Sequence, residues 1–198
     1  MAICTKALEG GDESGVLTNI HASIDGCTKC SLYEGNHLYV PGMGTSNTTI
    51  MIIGEGPGKR EDELGLPFVG ASGKFLDTLL TQIGLSRNEI YITNVVKCRP
   101  PENRDPKPEE IAACDDYLEQ QISAINPKMI ITLGRFSMAK FLPGVKISQV
   151  HGMPKRRSSD GRIVFPCYHP AVALYNGGMR SVLEADFLKI PKILSQLT

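Results

Sequence analysis

Four cysteines are the first groups in this sequence whose type and spacing suit a metal. Cys27 and Cys30 form a C-x2-C pair, and Cys98 and Cys114 bracket a stretch stiffened by Pro100, Pro101, Pro106 and Pro108. Four thiolates suit either tetrahedral zinc or an iron–sulfur cluster. Zinc ribbons usually bring two C-x2-C knuckles, and here there is one, which favours a cluster. The competing reading is four buried cysteines acting as small hydrophobes, which fits poorly with Cys98 in its proline-rich loop. Cys4 lies near the N-terminus, and Cys167 reads as the end of a strand packed in the core. The four histidines, His21, His37, His151 and His169, are scattered without metal-ligand spacing, which weighs against a zinc hydrolase.

A second candidate is the turn Gly54-Glu55-Gly56-Pro57-Gly58, which directly follows a short apolar run. A glycine turn after a buried strand suggests a phosphate cradle, but both common motifs fail. The phosphate-binding loop would need glycine where Ile53 stands and Ser or Thr where Arg60 stands; the dinucleotide fingerprint would need glycine at Lys59. The Glu55 carboxylate would also repel a phosphate. The glycines therefore suit close backbone approach to some other flat or small group. The plainer alternative is a tight turn with a solvated glutamate.

The elements that must position these groups follow from hydrophobic patterning. Residues 49–53, 90–96, 129–133 and 163–165 are short apolar runs, as expected of strands buried on both faces. A briefer strand is predicted at 38–40. Helical spacing marks 16–24, 72–83, 108–125 and 135–141, with a last helix over 182–197 interrupted at Pro191. Alternating strands and helices predict an α/β fold with a mostly parallel sheet covered on both faces. In such sheets ligands bind beyond the carboxyl ends of the strands. There the sequence places the Gly54 loop, Asn94, Gly134-Arg135 and the run Pro166-Cys167-Tyr168-His169-Pro170. Residues 1–14 read as a flexible tail and 15–198 as a single domain.

The chain has 198 residues, 41% hydrophobic and 21% charged, with 21 basic residues balancing 21 acidic ones. That is ordinary globular usage, which excludes collagen-like, disordered and small disulfide-rich classes. Balanced charge argues against coating nucleic acid by charge alone, while leaving room for a local basic patch. No apolar run approaches a membrane span, and no secretory h-region is visible, so a cytoplasmic, reducing setting is expected.

The segments GEGPGKREDELGLPFVGASGKFLD (54–77), ITNVVKCRPPENRDPKPEEIAAC (92–114), ITLGRFS (131–137) and YHPA (168–171), with the C-x2-C at Cys27, carry a resemblance. In their order and spacing the chain resembles the family 4, iron–sulfur uracil-DNA glycosylases of bacteria and archaea. The resemblance implies a three-layer α/β/α sandwich around a four-stranded parallel sheet. It implies a structural [4Fe-4S] cluster on Cys27, Cys30, Cys98 and Cys114. It also implies excision of uracil, from single- or double-stranded DNA, by a monomer that hydrolyses the N-glycosidic bond and leaves an abasic site for base excision repair.

By the same resemblance, uracil would be flipped out of the stack into a pocket made by Gly54, Glu55, Gly56, Pro57, Phe68, Asn94 and His169. Phe68 would stack on the base. Asn94 would read its edge, one amide matching the O4 acceptor and the N3 donor of uracil. His169 would donate to O2 as charge builds on the departing base. Glu55 would orient water or stabilise the cationic sugar. Glu61 would crowd the methyl group of thymine. Ser72, Arg135 and Tyr175 are expected at the DNA, with Lys155, Arg156 and Arg157 as a phosphate patch. Tyr175, standing where many members carry Arg, would act as a wedge on a strand over 171–176. Two competing classes are a non-catalytic binder of uracil, disfavoured by having both Glu55 and His169, and a covalent trapper. The trappers carry a basic His-containing insertion where Cys98 here leads straight into Arg99-Pro100-Pro101.

Overall fold

Along β2 (Ile50–Gly54), Ile50 and Ile52 turn to one face of the sheet and Met51 and Ile53 to the other, and all are buried. A strand apolar on both faces must lie between two helical layers, and it does. A computed structural model describes residues 15–197; the expected tail 1–14, with Cys4, lies outside the described residues.

The central strands are β2, β3 (Tyr91–Asn94), β4 (Met129–Leu133) and β6 (Ile163–Cys167), all parallel, in the order β3-β2-β4-β6. On one face pack α3 (Ala71–Gln82), α8 (Gly178–Phe187) and α9 (Ile190–Leu194), through Phe75, Leu76, Leu79, Leu183, Phe187 and Ile190. On the other pack α1 (Val16–Ile24) and α4 (Pro108–Ile125), through Leu17, Ile20, Ile24, Leu118 and Ile122. The expected sandwich is thus present. The sheet has six strands rather than four, because β1 (Met43–Gly44) pairs antiparallel with β3 and β5 (Lys155–Arg156) pairs antiparallel with β6. Two-residue edge strands carry no periodicity that a sequence can display.

Helices begin and end where local chemistry dictates. Pro108 opens α4, where a missing N–H costs nothing, and the Glu110 carboxylate accepts the Lys107 N–H at 2.7 Å. The predicted break near Pro191 is real: helix α8 ends at Phe187 and α9 begins at Ile190, with proline in its first turn. Two expectations fail. Residues 38–40 form no ladder among the described residues; Val40 makes one bond to the Lys97 carbonyl, and the edge strand forms at Met43 instead. Residues 171–176 are not a strand but the short helix α7 (Val172–Tyr175), because the Val172, Ala173 and Leu174 N–H groups close i-to-i+3 turns on the His169, Pro170 and Ala171 carbonyls.

The order of the parallel strands reverses at β2, which has β3 on one side and β4 on the other. A crevice must open there, beyond the strand ends. The loop after β2 is the Gly54–Gly58 turn.

Candidate active site

Register brings the first two site residues together. Gly54 at the end of β2 is the parallel partner of Asn94 at the end of β3. The ladder continues past both strands, with the Val95 N–H on the Gly54 carbonyl and the Val96 N–H on the Glu55 carbonyl. A Cβ at Gly54 would stand 2.4 Å from Asn94 Oδ1 and 2.6 Å from Phe68 Cζ. Only glycine lets the amide and the ring meet over the strand end. Asn94 is 2% exposed, and its Oδ1 is buried without a hydrogen-bond partner. An unmet buried acceptor costs about 1–3 kcal/mol, and this one is available to a ligand N–H.

Phe68 takes its place through a strained turn. Its φ of 54° is unusual for a bulky residue. The turn passes so close to α3 that a Cβ at Gly73 would stand 1.7 Å from the Phe68 carbonyl oxygen. Buried Glu61, on α2 (Lys59–Leu64), accepts the Val69 and Gly70 N–H groups at 2.8 and 2.7 Å. Glu61 therefore holds the Phe68 segment as well as facing the cavity.

His169 follows β6 and stacks on Phe68, with ring centroids 5.6 Å apart and planes 28° from parallel. Its Nδ1 accepts the Ala171 N–H at 3.2 Å, so a neutral ring carries its proton on Nε2. Burial pushes its pKa down to about 4, against a smaller opposing pull from Glu61. The ring is therefore a neutral donor at neutral pH. Burial raises the Glu55 pKa, Asp105 adds to that, and Arg135 opposes it.

These groups surround one cavity of about 470 Å³, lined by Glu55, Gly56, Pro57, Glu61, Phe68, Ser72, Asn94, His169 and Tyr175 among others. Gly54 lies beneath Asn94 and Phe68 and does not line it. Tyr175 is 90% exposed at the rim, beside Leu174 at 49%. Arg135 stands outside the lining and pairs with Asp105. Lys155, Arg156 and Arg157 are not brought to the site. They flank the first residues of β6, at the opposite end of the sheet from His169, where Arg157 and Arg162 share Asp160. Sequence reasoning missed Lys59, Arg60, Pro100, Asn103 and Arg104, which do line the cavity. The signal was their position inside the matching segments, and only folding shows that the proline-rich loop doubles back onto the Glu55 turn.

That loop runs between Cys98 and Cys114, two of the four cysteines. Cys27, Cys30, Cys98 and Cys114 line a single small hollow with Ile24, Leu32, Val96 and Tyr117. No group of three or more His, Cys, Asp or Glu side chains is gathered tightly enough for a single metal ion among the described residues. Burial, then the neighbouring Cys114, Cys30 and Cys27, pushes the Cys98 thiol up to about 12. An all-thiol donor set in an apolar hollow fits a group that displaces those protons on binding. Arg104 meets Glu110 with two bonds, of 2.9 and 2.6 Å, and holds its carboxyl down to about 2.

The model of the uracil DNA glycosylase superfamily matches residues 41–190. A type-4 uracil-DNA glycosylase of Saccharolobus solfataricus is 49% identical over 85% of this chain and 82% of its own length. One of Sulfurisphaera tokodaii is 45% identical over 89% and 84%, and one of Archaeoglobus fulgidus 45% over 89% and 92%.

Proposed function

The chain belongs to the uracil-DNA glycosylase superfamily and acts as a type-4 uracil-DNA glycosylase, and on that premise we propose how its own residues carry the reaction. The substrate is uracil in DNA, and the reaction hydrolyses its N-glycosidic bond to leave an abasic site. The observation that carries the assignment of roles is the meeting of Phe68, Asn94 and His169 around one cavity next to an orphaned Asn94 Oδ1.

The uracil nucleotide leaves the stack, at a cost of a few kcal/mol. Stacking on Phe68 offsets about 1–3 kcal/mol of that. Asn94 Oδ1 accepts the N3–H, and its amide nitrogen donates to O4. The bond from sugar C1′ to N1 breaks with both electrons leaving on the base, and negative charge grows at O2. The His169 Nε2–H donates there. The Glu55 carboxylate faces the cation left at C1′ and orients the water that adds to it. Water gives its hydroxyl to C1′ and its proton, finally, to the uracil anion. Glu61 crowds the position of a thymine methyl group. Tyr175 and Leu174, on α7, fill the vacated stack, while Lys59, Arg60 and Arg104 meet phosphates at the rim. Cys27, Cys30, Cys98 and Cys114 would hold a [4Fe-4S] cluster, which would tie together the segments after α1 and β3 and the second turn of α4 and take no step of the reaction. The enzyme is a monofunctional monomer of the cytoplasm.

Purified protein is expected to release uracil from single- and double-stranded oligonucleotides, with the backbone cleaved only after alkali. Failure to release uracil overturns the assignment; cleavage before alkali overturns the monofunctional reading. The protein should be brown, with iron and sulfide in equal amounts. Cys98→Ser should lose the visible absorbance; a colourless, iron-free wild type that remains folded and active would count against the cluster.

The pH profile follows from the two shifts. His169 is neutral above about 4, so the donor persists through neutrality. Glu55, raised by burial, loses its charge first as pH falls. Activity should therefore show one acid limb, displaced in Glu55→Gln, and a plateau from about pH 6 to 8. A fall in kcat/KM as pH rises through about 6–7 would mean that imidazolium is the donor, contrary to this scheme.

A further inference from the structure

We propose that Arg87 is the positioning residue for the base-stacking platform, its guanidinium clamping the carbonyls of Pro67, Phe68 and Gly73 so that the Phe68 ring faces the cavity. The inference rests on the reading of Phe68 as that platform. Arg87 begins the short 3-10 turn Arg87–Glu89, which leads into β3, and its side chain does not line the cavity. Its Nη1 donates to the Pro67 carbonyl at 3.1 Å, and its Nη2 to the Phe68 and Gly73 carbonyls at 2.5 and 3.3 Å. Its Nε is fixed by Asp77 on α3, at 2.5 Å. The side chain is 19% exposed, at the edge of the core.

Arg87 meets four acceptors from three nitrogens, Asp77 through Nε and three carbonyls through Nη1 and Nη2, whereas an ammonium has only three donors on one nitrogen and cannot reach all four. The need for this clamp is visible in the backbone. A phenylalanine held at φ 54° persists only where its surroundings over-determine it. Two charged side chains do so from opposite polarities. Glu61 takes the N–H groups that follow Phe68, and Arg87 takes the carbonyls of Phe68 and its predecessor. Between them the peptide units around the ring have almost no freedom. Without Arg87 the turn can relax toward negative φ, which swings the ring away from His169. A misplacement of about 1 Å in such a group costs of the order of 10²-fold in rate.

A double-mutant cycle tests this, with kcat and KM measured on a uracil oligonucleotide for Arg87→Met, Phe68→Ala and the double variant. Arg87→Met is expected to lose about 10- to 100-fold in kcat/KM, split between kcat and KM as in Phe68→Ala. In the Phe68→Ala background it is expected to change nothing further, because no ring remains to position. Full activity of Arg87→Met, or losses that multiply in the double variant, overturns the clamp. Arg87→Lys covers the case in which the methionine variant does not fold: it should still lose activity, and wild-type activity in it also overturns the proposal. Low-millimolar guanidinium should restore Arg87→Ala and leave Phe68→Ala unchanged; rescue of neither or of both counts against it. If Phe68→Ala itself keeps full activity, the platform reading has failed; if only Arg87→Met does, the failure belongs to the clamp.

Discussion

His169→Ala is expected to lower kcat for uracil excision by about 10²- to 10³-fold, or about 2.7–4 kcal/mol, with little change in KM. The reason is the timing of the charge. Before the bond breaks, uracil O2 is an ordinary carbonyl oxygen and a neutral N–H bonds to it modestly. As the electron pair moves onto the base, O2 becomes anionic and the same N–H gains far more. An interaction strengthened only in the transition state raises kcat rather than tightening ground-state binding. The Ala171 N–H on Nδ1 keeps the proton on Nε2, and burial keeps the ring from taking a second one near neutral pH. Single-turnover rates on a saturated uracil duplex isolate this step. A variant within tenfold of wild type would remove His169 from the charge-stabilising role, and an effect confined to KM would make it a ground-state contact only.

Asn94→Asp should be comparably damaging and should also alter which base is cut. In the proposed pose the amide makes two complementary bonds to uracil, and the Asn94 Oδ1 that would take the N3–H is buried without a protein partner. A carboxylate still accepts the N3–H but cannot donate to O4, and it sets a negative charge beside a departing anion. One unmet buried group costs about 1–3 kcal/mol, and two such penalties put the loss in kcat/KM at about 30- to 10⁴-fold. The carboxylate suits the exocyclic amine of cytosine, so the residual activity is expected to shift toward cytosine. The variant should fold, because what holds this strand end is main chain: the Asn94 carbonyl accepts Lys97 Nζ at 2.8 Å and the ladder pairs Asn94 with Gly54. Unchanged uracil excision would take Asn94 out of the pocket. A uniform loss with no change in the ratio of cytosine to uracil cutting would leave it binding the base without reading its edge.

Much of the scaffold was legible before folding. The runs at Met129–Leu133, Pro108–Ile125 and Arg135–Phe141 lie where the patterning put them, because a strand buried on two faces and a helix with one apolar stripe must show those patterns. The strand ends pointed to the Gly54 turn, Asn94 and His169 for the same reason: in a parallel sheet, loops after strands share one edge. The failures also have physical causes. The tip at Val172–Tyr175 is too short for any period to distinguish helix from strand. The basic run Lys155–Arg157 lies beside the start of β6, away from the cavity; charge does not say at which end of a strand a residue sits.

Hydrophobic patterning, spacing and strand-end position together determined that this chain is an α/β protein whose Gly54 turn, Asn94 and His169 share one edge of the sheet, with four cysteines spaced to suit a metal. They did so because hydrophobic period and parallel topology are local or rule-bound properties of a chain. Only the tertiary structure decided that Phe68 sits in a left-handed turn gripped by Glu61 and Arg87, that Asn94 Oδ1 is left unsatisfied, and that Asn103 and Arg104 fold back to wall the cavity. Those facts depend on contacts between segments far apart in sequence, whose geometry is set by packing across the sheet and leaves no trace in the spacing of residues along it.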